Sequence, residues 1–197
     1  MKKKKLGFTL AETLITIGLI GIVAALTIPS LMTNIRHRDY TVKLKKFNST
    51  MRQALISAEE EFGPVNDWDQ SLEVNDFVKK YLSPFIKISR NGNFYYFSDG
   101  TLFRIYRGDC IDFIYDVNGL SKPNKEGYDR FRFLFCGRDN GNIWCPDIGF
   151  CAYRSMSQKK ENSRSKFLEL CRTTPYYCSA LLEYDNWSFS KDYPYYK

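Results

Sequence analysis

Phe8-Thr-Leu-Ala-Glu12-Thr-Leu-Ile-Thr-Ile-Gly18-Leu-Ile-Gly21-Ile-Val-Ala-Ala-Leu-Thr-Ile-Pro29-Ser-Leu31 is a run of 24 residues whose only charge is Glu12. As a helix it is roughly 36 Å long, enough to cross a hydrocarbon core of about 30 Å. Lys2, Lys3, Lys4 and Lys5 precede it with Leu6-Gly7, and such a basic cluster stays on the cytoplasmic side. A secretory signal peptide has an apolar core of only about 7–15 residues that ends at a small-x-small cleavage site. This run is too long for that and carries an acid near its start. A single-pass anchor fits the length but gains nothing from Glu12, whose burial near mid-membrane costs about 2.5–3.5 kcal/mol on insertion scales. An acid inside a membrane segment is a functional residue by default.

The rest of the chain narrows the function classes. Of 197 residues, 44% are apolar and 26% charged, the composition of a folded domain with its own core. The formal charge of +7 is largely an end effect: outside the four leading lysines, 25 basic residues face 22 acidic ones, a balance of +3. Nucleic-acid binders spread Lys and Arg over a face of the fold, so nucleic acid is not expected as the main partner. The one histidine, His37, excludes multi-histidine metal sites and leaves any Ser-His-Asp or Cys-His arrangement dependent on a residue that reads as solvated, among Arg36, Arg38 and Asp39 at the end of the apolar run. No Gly-Lys dipeptide occurs, so there is no phosphate-binding P-loop. An enzyme is not expected.

A basic leader, Gly7, aromatic Phe8, Thr9-Leu10, Glu12 and a long apolar helix containing Pro29 together resemble the type IV prepilin motif shared by pilins and type II secretion pseudopilins. The resemblance covers about the first 32 residues. It implies that a membrane peptidase cuts after Gly7 and methylates the new amine of Phe8. It implies that Glu12 pairs with the Phe8 amine of a neighbouring subunit, an opposite charge that makes a buried carboxylate tolerable. It also implies that the stretch between Gly21 and Pro29 can lose helicity on assembly. From the residues alone, Pro29 reads equally as a neutral kink.

Beyond Pro29 the pattern turns amphipathic. Ile35, Val42, Leu44, Phe47, Met51, Ala54, Leu55, Ala58 and Phe62 recur mostly at three- and four-residue spacings, and Gly63-Pro64 is a strong stop. The spacing predicts one helix from Phe8 to Phe62, with its second half packed under a sheet. Residues 64–93 read as a connection with a short helix near Ser71 to Leu82. Alternation then predicts strands at Phe94–Phe97, Thr101–Tyr106, Cys110–Asp116 and Arg130–Phe135, joined by turns at Ser98-Asp99-Gly100 and near Gly108-Asp109. The expected fold class is α+β: a long N-terminal helix, its first half transmembrane, against an antiparallel sheet of about four strands, with a disulfide-containing C-terminal loop region. The expected organisation is a leader at 1–7, a transmembrane and filament-core helix at 8–32, and an extracytoplasmic globular domain at 33–197.

Cys110, Cys136, Cys145, Cys151, Cys171 and Cys178 all follow the membrane segment, and none shows Cys-x-x-Cys spacing. An even number in an extracytoplasmic domain favours disulfides over free buried thiols, with 15 complete connectivities open and at least two bridges expected between Cys136 and Cys178. A disulfide-stapled C-terminal loop is also what the resemblance implies. Some pseudopilins bind calcium in a loop near their sheet, which makes Asp116, Asn118, Asn124 and Asp129 calcium candidates. Against this, Asn118-Gly119 is an ordinary turn signal, and the EF-hand pattern fails, with Gly127 where the bidentate acid belongs. No other cofactor is expected. The aromatic tail holds Tyr176, Tyr177, Tyr184, Trp187, Phe189, Tyr193, Tyr195 and Tyr196; it reads as core cover, with an adhesive surface as the alternative.

The resemblance implies a structural subunit of a type IV pilus or type II secretion pseudopilus. Its partners are other pilin or pseudopilin subunits, the prepilin peptidase and methyltransferase, and an inner-membrane assembly platform driven by a separate ATPase. It starts as a single-pass protein of the bacterial inner membrane and ends in a periplasmic pseudopilus or cell-surface pilus. The alternative is a permanently anchored extracytoplasmic binding protein, which needs neither Glu12 nor the Gly7-Phe8 junction.

Overall fold

The computed structural model describes residues 7–69, 71–108, 110–136, 145, 149–153 and 163–196. The lysine cluster, Leu6 and Asp109 lie outside the described residues. Two compact units meet in sequence between Arg38 and Asp39, both entered by helix α1 (Leu10–Phe62).

In the first unit the apolar run of α1 is uncovered. Its most apolar 18-residue window has a mean hydropathy of 2.3 and no buried residue, which makes it long and apolar enough to cross a membrane. Three of its hydroxyls close back on the helix: Thr13, Thr16 and Thr27 donate to the carbonyls of Thr9, Glu12 and Val23 at 3.1, 2.7 and 2.9 Å. A helix that closes its own polar groups needs no water. His37, expected to be solvated, is instead 6% exposed, and burial lowers its imidazole to about 4, with Arg36 acting in the same direction.

In the second unit α1 buries one stripe, Tyr40, Leu44, Phe47, Met51, Ala54, Leu55 and Ala58, at helical spacing. Val42, counted with that stripe from spacing alone, is exposed. The helix ends where the sequence predicts: Gly63 takes φ +81°, open to a residue without Cβ, and its N–H reaches the Glu59 carbonyl at 3.0 Å. A 3-10 turn (Val65–Asp67) and helix α2 (Val74–Tyr81) follow.

Among the described residues the sheet has six antiparallel strands in chain order: β1 (Ser89–Asn91), β2 (Phe94–Tyr96), β3 (Leu102–Arg107), β4 (Ile111–Asp116), β5 (Arg130–Phe135) and β6 (Phe150–Ala152). The expected four are the inner ones, so the count of about four is corrected to six. Strand β1 is polar and fully exposed, and β6 is buried throughout, so neither shows the alternation that marks a half-buried strand. Register aligns the inward rows Tyr95, Phe103, Tyr115, Phe131 and Ile105, Phe113, Phe133, Ala152. Phe47 sits among them, stacked on Tyr115 with ring centroids 4.0 Å apart and edge-on to Phe133 at 4.9 Å.

The C-terminal region is more than a loop. It holds α3 (Arg164–Thr173), a 3-10 turn (Pro175–Tyr177) and α4 (Cys178–Tyr184). Ser163 caps α3 by accepting from the Lys166 N–H. Alpha-4 docks where β6 leaves β5 uncovered, and Ser179 Oγ accepts the Arg132 backbone N–H at 2.9 Å. The tail then folds back: Trp187 stacks on Phe133, and Phe189 packs against Tyr40 and Phe131. Arg164 clamps it by donating to Asp185, Ser190 and Asp192 at 2.7–3.1 Å. The six cysteines pair as Cys110–Cys136 across the β4/β5 ends, Cys145–Cys151 into β6, and Cys171–Cys178 from α3 to α4.

Candidate processing and assembly site

Gly7, Phe8 and Thr9 lie outside any helix, exposed, with the Phe8 side chain 90% accessible. A peptidase needs a reachable bond outside regular structure, and Gly7-Phe8 is exposed and non-helical. One residue later the chain turns helical through a reciprocal cap. Thr9 donates its N–H and its hydroxyl to Glu12 Oε2, each at 2.8 Å, and the Glu12 N–H returns a bond to Thr9 Oγ1 at 3.2 Å. This Thr-x-x-Glu capping box satisfies two donors of the first turn, and the helix N-terminus favours the negative charge. Both Thr9 bonds fall on one carboxylate oxygen, which leaves Oε1 for another donor. Beside the intersubunit pairing that the resemblance implies, Glu12 thus has a role within its own chain, signalled by its three-residue spacing from Thr9. Gly21 and Pro29 lie inside continuous helix, and a Cβ added at Gly21 meets nothing within 4 Å.

The structure brings the four calcium candidates together but around a cation of their own. Arg130 donates from Nε to Asp116 Oδ2 and from Nη2 to Asn124 Oδ1, each at 2.8 Å. Asp129, fully buried, accepts the Asn124 and Lys125 backbone N–H groups at 2.8 and 2.6 Å and Asn118 Nδ2 at 3.3 Å. Asn118 Oδ1 is the one oxygen of the four side chains recorded as buried without a partner. Calcium takes six to eight oxygens (~2.3–2.6 Å), so these residues do not fit it while the guanidinium is in place. Burial pushes the Asp116 carboxyl up to about 6, with Arg130 opposing the rise and Asp129 adding to it. Among the described residues no three His, Cys, Asp or Glu side chains gather as a metal site.

Residues 2–28 match the prokaryotic N-terminal methylation motif, which contains the whole capping box and the Gly7-Phe8 junction. The amino terminus is that of a type IV pilin-like precursor. Residues 30–196, nearly all of the rest, match the Family of unknown function (DUF6613). The chain belongs to DUF6613. No curated protein and no solved structure matches it. In this DUF6613 member the family span begins just after Pro29 and takes in the buried stripe of α1, all six strands and the clamped tail.

Proposed function

We propose that this protein is a structural subunit of a type IV pilus or type II secretion pseudopilus. A prepilin peptidase removes residues 1–7, the new Phe8 amine is methylated, and α1 passes from membrane to filament core. The observation that carries this is the coincidence, within a methylation motif, of an exposed non-helical Gly7-Phe8 junction, the Thr9–Glu12 cap and a bare apolar helix. Oε1 of Glu12 takes the Phe8 amine of a neighbour while Oε2 stays on Thr9, so the box that starts the helix also presents the acid. The unit from Asp39 onward stays outside the cytoplasm, consistent with its three disulfides.

Intact mass of the protein co-expressed with its prepilin peptidase tests the reading. Loss of residues 1–7 with one added methyl is expected, and Gly7→Val is expected to retain the leader. A full-length mass in the wild type overturns the reading and leaves an anchored envelope protein. Glu12→Ala is expected to insert and be cleaved but to assemble poorly; wild-type filament yield sinks the pairing.

A further inference from the structure

A groove of about 870 Å³ is lined by the start of α2, strands β1 to β3 and Leu120, within the usual range of ligand sites (~300–1,000 Å³). Its floor and walls carry the rings of Phe94, Tyr96 and Tyr106. Beyond the end of α1, the described large apolar side chains that remain exposed are Tyr106, Leu120, Tyr176 and Tyr184, and the first two line this groove. Around the rings stand the planar polar groups of Asn75, Asn91 and Asn93, the carboxylates of Glu73 and Asp76, and the guanidinium groups of Arg90 and Arg104. Arg104 lies over the Tyr106 ring at 5.3 Å, and Arg90 Nε is tied to the Gly92 carbonyl at 2.9 Å, so both guanidinium planes are held.

The mixture selects the ligand. The two guanidinium groups and two carboxylates of the lining balance in charge, which disfavours nucleic acid, phosphate or an acidic peptide. A peptide strand would add along the edge of β1 that no described strand pairs, whereas this groove is lined by side chains of three strands, Arg104 and Tyr106 of β3 among them. Aromatic faces suit the C–H faces of pyranose rings, and planar amide, carboxylate and guanidinium groups can meet vicinal hydroxyls two at a time. We propose that this groove binds a neutral oligosaccharide, one ring stacked on Tyr106 and its hydroxyls held by Asn91, Asn93 and Arg104. The proposal is independent of assembly and stands for a filament subunit or an anchored protein alike.

The test uses the full chain in a detergent without a sugar headgroup, titrated separately with cellotetraose, chitotetraose and maltotetraose. The readout is the chemical shifts of tyrosine and asparagine side chains. Saturable binding to at least one probe is expected, with dissociation constants of about 0.01–1 mM. Tyr106→Ala is expected to weaken it at least about tenfold, Tyr106→Phe to retain it, and Tyr184→Ala to leave it unchanged. No saturation with any probe up to about 10 mM overturns the proposal. So does binding indifferent to Tyr106→Ala, or a groove that takes an oligonucleotide or an extended peptide in place of the sugars.

Discussion

Phe47→Ala removes the ring on which helix and sheet are joined. Phe47 is 2% exposed and has ring neighbours on four sheet strands or their turns: Tyr115, Phe133, Phe103, Phe150 and Phe97, with centroids from 4.0 to 6.3 Å. A buried Phe→Ala change costs about 3–5 kcal/mol through lost transfer energy and the cavity left behind. The stacked and edge-on contacts to Tyr115 and Phe133 add about 0.5–1.5 kcal/mol each beyond area, placing this site near the top of that range, about 4–5 kcal/mol. A domain stable by about 5–15 kcal/mol loses much of its margin. Guanidinium denaturation of the full chain in micelles, followed by fluorescence of buried Trp68 and Trp187, reads the effect. Val42→Ala, on the exposed face of the same helix, is expected to stay within about 0.5 kcal/mol. A Phe47→Ala loss below about 1.5 kcal/mol, or one matched by Val42→Ala, refutes the idea that this ring organises the core.

Gly119→Ala is expected to cost about 2–3 kcal/mol in the same assay, because φ is +70° and the new Cβ lands 2.7 Å from the Gly100 carbonyl oxygen. Arg130→Gln leaves Asp116 buried without its cation and is expected to lower stability by about 2–3 kcal/mol at pH 7, while wild-type melting in about 1 mM calcium and in chelator is expected to coincide. A calcium-dependent rise in the wild type contradicts the loop geometry. His37, whose folded pKa lies below its unfolded value of 6.5, favours the folded state fully above that value and progressively less as pH falls toward about 4. His37→Gln is therefore expected to reduce the loss of stability between pH 7 and pH 4.5 by about 1–2 kcal/mol, and an unchanged pH profile rules the histidine out as its source. Mass mapping without reductant is expected to recover Cys110–Cys136, Cys145–Cys151 and Cys171–Cys178 as three separate linkages; any other pairing contradicts the packing of β4, β5 and β6.

What could be read from sequence was what repeats along one dimension. The apolar run, the Gly63-Pro64 stop and the alternation in β3, β4 and β5 carry their periods in consecutive residues. Strands β1 and β6 and helices α3 and α4 are fixed by what they pack against, which spacing does not encode. Seven-residue α4 buries five residues in succession, Cys178 to Leu182, and so shows no polar face to count. The loop residues Asp116, Asn118, Asn124 and Asp129 were found by composition, yet their cation was missed. Arg130 faces Asp116 only through the β4/β5 register, 14 residues apart in the chain. Charged sequence neighbours suggest water around His37, yet it is 6% exposed, because neighbours in sequence do not fix burial.

The placement of the three disulfides has a mechanical consequence. Every cross-link lies at or beyond Cys110, so no covalent tie joins α1 to the sheet except the chain itself. A pull along α1 would shear the aromatic contacts of Phe47 before it strained any sulfur. Once those contacts part, the segment from Gly63 to Gly108 can straighten to on the order of 150 Å, while the stapled region from β4 to α4 keeps its shape. A chain built this way would lengthen at one defined place under tension, and would recoil when the rings find each other again.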